Sequence, residues 1–135
     1  MNFSQKLSLI LEASDDYEAA VAIVQDGNKW LLGLSTAKDD RANKWCFPGG
    51  GIKRGEQADR AAAREAWEET GIRCKPIGEP FSYTNKPAVA FVHCKETGGR
   101  LDPNSEFAAL GWFTRKEMKA LKLYHNVTKL LDRVD

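Results

Sequence analysis

The stretch PGGGIKRGEQADRAAAREAWEETGI, residues 48 to 72, decides the fold. It opens on Pro48-Gly49-Gly50-Gly51, a run that can neither propagate a helix nor hold a regular strand, so the backbone is expected to bend there. Residues 57 to 70 are Ala-rich and charged with no Gly or Pro, the strongest helix signal in the chain, and Gly71 stands where a left-handed C-cap belongs. Within that helix Glu65, Glu68 and Glu69 fall at i, i+3 and i+4 and share one face. Ala58, Ala61 and Ala62 fall in the same sector and would let this face approach the body of the protein, while Arg60 and Trp67 point the other way.

Three neighbouring carboxylates repel one another. A solvated structural helix would interleave Lys to gain a few tenths of a kcal/mol per pair, so the cluster carries a strain that a bound cation removes. Hard oxygen ligands of this kind suit Mg²⁺ or Mn²⁺. Taken alone, an acidic helix face is more often solvated surface. The flanking residues decide otherwise. Gly50, Glu56, Arg64, Glu65, Ala66, Glu68, Glu69, Gly71 and Ile72 fit G-x5-E-x7-R-E-U-x-E-E-x-G-U, with U apolar, at every position. Average residue usage puts a chance match in such a chain at about one in ten million.

This pattern resembles the defining motif of the Nudix hydrolase family, MutT-like proteins included, and Trp45-Cys46-Phe47-Pro48-Gly49-Gly50 resembles the usual lead-in. The resemblance implies an α/β fold, an α/β/α sandwich with a mixed β-sheet, over residues 1–135 as a single domain. It further implies Mg²⁺-dependent hydrolysis, Mn²⁺ being an alternative cation, of a phosphoanhydride bond in a nucleoside diphosphate linked to another moiety. A nucleoside triphosphate or a nucleotide sugar such as ADP-ribose would then release a nucleoside monophosphate. By the same resemblance the metal is held by Glu65, Glu68, Glu69 and the carbonyl of Gly49. Glu56 and Arg64 match a charge pair that orients the glutamates rather than performing chemistry. Glu65, Glu68 and Glu106 are the catalytic candidates, and either Glu65 or Glu106 is the general base. Glu106 lies six residues before Trp112, where some family members carry a carboxylate on a loop ahead of a strand. Phe81, Tyr83 and Trp45 are candidates for stacking a nucleobase, against the ordinary alternative that strand aromatics are core.

Outward from the motif, Tyr17 to Val24 and Trp30 to Leu34 read as a hairpin turning at Asp26-Gly27-Asn28, followed by a polar loop over residues 36 to 44. Ile72 to Ile77, Pro80 to Tyr83, Ala88 to Cys94 and Ala109 to Phe113 read as strands, with Glu96-Thr97-Gly98-Gly99 as a turn. Thr114, three residues before Glu117, predicts a helix N-cap, and a last helix is expected from about Asn126 to Leu131. Phe3, Leu7, Ile10 and Leu11 predict a short amphipathic helix that packs on the domain or docks a second subunit as a homodimer.

Composition narrows the partners. Twenty Lys and Arg against nineteen Asp and Glu leave a net charge of +1, no global field for a nucleic-acid backbone or an anionic membrane, so a small-molecule nucleotide is the expected partner. Cys46, Cys74 and Cys94 are odd in number and never spaced as C-x-x-C, which argues for reduced thiols in a cytoplasmic protein. The opening Met1-Asn2-Phe3-Ser4 has no basic segment leading a long apolar run, and no run approaches the roughly 20 residues of a spanning helix.

Other readings fall to single residues. Ile52-Lys53-Arg54 stands where a P-loop needs Gly-Lys-Ser/Thr, and His93 and His125 form no zinc pattern. The secondary motifs of coenzyme A and NADH hydrolases are absent, and a lone Pro87 is weak support for ADP-ribose. A catalytically silent nucleotide sensor of the same fold would have lost box carboxylates, which this chain keeps. A hydrolase of RNA caps, dinucleoside polyphosphates or an isoprenyl diphosphate is the other alternative; a basic groove is expected for RNA and domain-length insertions for the isoprenyl compound, and the sequence shows neither.

Overall fold

The alternation in Ala19–Asp26 sends Ala20, Ala22 and Val24 to one face and Val21 and Ile23 to the other, and both faces are covered. A strand apolar on both sides belongs in the middle layer of a sandwich. The computed structural model describes residue 2 and residues 17–82, 89–102 and 106–133. The predicted helix over residues 3 to 13, and Tyr83, lie outside them.

Among the described residues seven strands form one sheet: β1 (Ala19–Asp26), β2 (Lys29–Ser35), β3 (Trp45–Cys46), β4 (Gly49–Gly51), β5 (Ile72–Pro76), β6 (Val89–Gly99) and β7 (Phe107–Thr114). The order is β3-β2-β1-β6-β5, with β4 added to β1 and β7 to β2. β1 and β6 run parallel and the other pairs antiparallel, so the sheet is mixed. Helix α1 (Ala58–Thr70) covers one face; the short α2 (Arg115–Met118) and α3 (His125–Arg133) lie toward the other, where Met118, Val127 and Leu130 pack with Ile23, Leu32 and Phe91.

Two sequence expectations are corrected. The glycine run does form a strand: β4 pairs Gly49, Gly50 and Gly51 with Val21, Ala20 and Ala19. The reason is that β1 and β2 pair only at Gln25↔Trp30 and Asp26↔Lys29 beside their turn, then separate, leaving an edge that β4 fills. Residues 96 to 99 are not a turn but the end of β6, held by pairing of Ile72 with Gly99 and Arg73 with Gly98, with a register shift between Arg73 and Cys74. Gly98 and Gly99 take φ of 150° and 91°, which lets the strand follow that shift. The Pro80–Tyr83 segment reduces, where described, to a single bridge between Phe81 and Phe91.

The local signals elsewhere match the structure. Gly71 caps α1 at φ 79°, donating to the Trp67 carbonyl at 3.0 Å. A side chain there would also stand 2.2 Å from the Arg100 carbonyl, so crowding and backbone angle both require glycine. Thr114 and Glu117 form a reciprocal capping box at α2. α1 meets the sheet through Ala58, Ala61, Ala62 and Ala66 against Ala20, Ala22 and Ala90, all buried. Small residues on both surfaces bring the helix backbone close to the strands, and with it the acidic residues that share this side.

Candidate active site

Helix α1 places its carboxylates against β4. Glu69, 4% exposed, accepts the Gly49 N–H on Oε1 at 2.8 Å. Ala22 donates to the Pro48 carbonyl and Ile52 to the Glu18 carbonyl, so the bonded positions of the β1–β4 ladder alternate past Gly49. Gly49 therefore turns its N–H and its carbonyl away from β1, toward the side where Glu69 stands. One turn earlier in the helix, the Glu65 carboxylate lies over Gly50.

Arg64 ties the arrangement together. Its Nε and Nη2 donate to both oxygens of Glu56 at 2.8 and 3.0 Å, and Nη2 also reaches the Gly51 carbonyl at 3.0 Å. Nη1 donates to Glu65 at 2.9 Å and Glu68 at 3.1 Å. The planar guanidinium fork makes this multiple contact, which a lysine could not. Its hydrogen bond to Glu56 raises the Arg64 pKa and holds the Glu56 carboxyl below its ordinary value.

Glu106, the turn residue just before β7, hydrogen-bonds with Glu69. Burial first, and then this contact with a second acid, pushes the Glu69 pKa up to about 9, opposed by the Gly49 N–H. Burial also raises Glu65, against the pull of Arg64. A buried carboxyl such as Glu69, in contact with a second acid, is relieved by a proton of its own or by a nearby cation. With a backbone carbonyl at hand, the donor set is all oxygen and fits a hard divalent ion. Among the described residues no three acidic, His or Cys side chains close into one ligand shell, because Glu68 is drawn to Arg64 with about half its side chain exposed.

Gly49, Gly50, Glu69 and Glu106 line an open cleft of about 640 Å³, whose walls also include Tyr124 and Asn126. The 36–44 loop forms another wall, where Asp39 and Arg41 pair at 2.9 Å. The Tyr124 hydroxyl donates to Asp40 at 3.3 Å. Of the residues named from the sequence, Gly49, Glu69 and Glu106 line the cleft, Glu65 lies just behind Gly50, and Glu68, Glu56 and Arg64 form the outer brace. Phe81 stands elsewhere: its ring stacks on Phe91 and His93 at centroid distances of 5.8 and 5.3 Å, and it does not line the cleft. Tyr124 and Asn126 carry no motif that would have marked them. They reach the cleft because Trp45 N–H bonds the Lys122 carbonyl and Tyr124 N–H bonds the Trp45 carbonyl, a contact between segments far apart in sequence.

The chain matches the model of the NUDIX domain over residues 16–134. It is 33% identical over 120 residues to a MutT-like protein of Streptomyces ambofaciens, covering 87% of this chain and 75% of that one. It is 29% identical over 117 residues to the 8-oxo-dGDP phosphatase NUDT18 of Danio rerio, covering 82% of this chain but only 36% of that longer protein. A NUDIX-family hydrolase from Clostridium perfringens superposes with a TM-score of 0.68 at 20% identity, over 88% of this chain and 99% of that one, a likeness of fold. The chain belongs to the Nudix family and is a hydrolase of that family. Such hydrolases act on small nucleotide substrates and generally use divalent metal ions. No helix among the described residues is long and apolar enough to cross a membrane.

Proposed function

We propose that this protein hydrolyses a phosphoanhydride bond in a nucleoside diphosphate derivative, a nucleoside triphosphate or a nucleotide sugar, and releases a nucleoside monophosphate. The observation that carries the reading is the contact between the buried Glu69 carboxyl and the exposed Glu106 beside Gly49, in the wall of an open cleft. Glu65, Glu68, Glu69 and the Gly49 carbonyl would hold Mg²⁺, with Mn²⁺ as a substitute. Bound there, Mg²⁺ supplies charge that offsets the diphosphate's own and eases deprotonation of the attacking water.

The chain's own residues do the rest. Arg64 and Glu56 fix the pitch of the carboxylate row against the glycine strand. Glu106 accepts the water's proton: its residue faces the cleft, whereas Glu65 is turned behind Gly50 and bonded to Arg64. Tyr124 and Asn126, which also line the cleft, are the side chains assigned to the nucleoside. Phosphorus NMR of the protein with Mg²⁺ and a panel of nucleoside triphosphates, ADP-ribose, other nucleotide sugars and dinucleoside polyphosphates tests the reading. Cleavage to a nucleoside monophosphate, lost in Glu69→Gln, is the expected result. Tight binding of one compound with no cleavage of any would replace it with a silent sensor.

A further inference from the structure

Glu106 enters the cleft beside a break in the sheet. β2 and β7 pair from Lys29↔Thr114 to Leu34↔Ala109, and then Ser35 faces Phe107, so Ala108 is an extra residue on β7. Such a bulge bends the strand and re-aims the side chains next to it. Phe107, 7% exposed, is seated by the absence of a side chain on Gly33: a Cβ there would lie 2.5 Å from its ring. Directly beyond the bulge, Thr36 donates twice to one acceptor, its N–H at 3.2 Å and its Oγ1 at 3.1 Å, both to the carbonyl of Glu106.

We infer that Thr36 is a positioning residue for the reaction: its hydroxyl, acting through the Glu106 main chain, sets the direction in which the Glu106 carboxylate enters the cleft. The ring of Phe107 fixes the chain on one side of Glu106 and Thr36 grips the peptide unit that joins the two residues. With its carbonyl held by two donors, the peptide unit that follows Glu106 is kept from turning. A single donor would leave the carbonyl free to swing about one bond. The inference rests on the reading of Glu106 as the general base.

The test compares Thr36→Val and Thr36→Ser, each in the wild-type and the Glu106→Gln background, using Mg²⁺ and the most rapidly cleaved nucleotide of the panel above. Thr36→Val should lower kcat about fivefold, the effect of one lost neutral hydrogen bond, with KM unchanged and the protein still folded at the assay temperature. Thr36→Ser, which keeps the hydroxyl, should restore the rate. In the Glu106→Gln background Thr36→Val should cost nothing further, since the two act as one unit. A raised KM with kcat intact would make Thr36 a substrate contact instead. Equal losses in both backgrounds, or no loss in either, would overturn the positioning role. Wild-type kcat in Glu106→Gln alone would overturn the reading of the base, and the positioning role with it.

Discussion

The carboxylate of Glu65 fills the space that a side chain on Gly50 would need: a Cβ there would lie 2.6 Å from Glu65 Cδ and 2.7 Å from either oxygen. The space beside Gly50 is thus taken by an acid of α1. Gly50→Ala should push Glu65 out of line with Glu69 while leaving the sandwich folded. We expect a fall in kcat of about 100-fold, the effect of a displacement near 1 Å in a catalytic group, measured beside an unchanged far-ultraviolet circular dichroism spectrum.

Glu69→Gln keeps an acceptor for the Gly49 N–H but removes the carboxylate that a cation would need. The variant should fold with about the wild-type thermal midpoint, because the amide, like the protonated acid it replaces, is neutral. Its kcat should fall about 100-fold or more, with Mg²⁺ stabilisation of the fold reduced, as read by thermal unfolding across a magnesium series.

Arg64→Lys preserves the charge and loses the fork that bonds Glu56 on two atoms and reaches Glu65, Glu68 and Gly51. Activity should drop about 10- to 100-fold, within the range for residues that orient metal-binding groups. Full activity in this variant would show that charge alone suffices.

The Glu56–Arg64 pair also sets an acid limb. Arg64 holds the Glu56 carboxyl below its ordinary 4.5, so its contribution to stability is complete above that value and is lost as the pH falls through the lowered one. Between pH 6 and pH 3 the wild-type melting temperature should therefore fall more steeply than that of Glu56→Gln. Parallel curves for the two proteins would remove Glu56 from the account of acid stability.

Ala62, fully buried where α1 meets the sheet, has no room for a longer side chain. Ala62→Leu should destabilise the fold by about 1–3 kcal/mol in urea unfolding. It should also depress activity, because the helix it lifts carries the carboxylates.

What could be read from the sequence divides by range of interaction. The α1 helix with its Gly71 cap, the β1–β2 hairpin and the Thr114–Glu117 box each depend on residues a few positions apart, and all appear in the structure. The carboxylate row was legible for the same reason, and the family motif supplied its partners. The strand through Gly49–Gly51 was not, since glycine has no preference for one and only the open edge of β1 makes it. Nor was the Gly98–Gly99 extension, whose pairing with β5 outweighs the turn-forming bias of two glycines. Tyr124, Asn126 and the Thr36–Glu106 contact arise from segments joined only by the finished sheet, so no local pattern announces them.

The position of β1 has a consequence for how the molecule comes apart. It is flanked by β2, β4 and β6, its Ala20, Ala22 and Val24 side chains have no exposure, and the Ala22 N–H is held by Pro48. β5 is an edge strand with Arg73 and Lys75 in solvent. In deuterium oxide the amides of β5 should exchange through local fraying, on a short clock. Those of Ala22 and its neighbours should wait for the whole sandwich to open, so that one strand's isotope uptake reports the free energy of the entire fold.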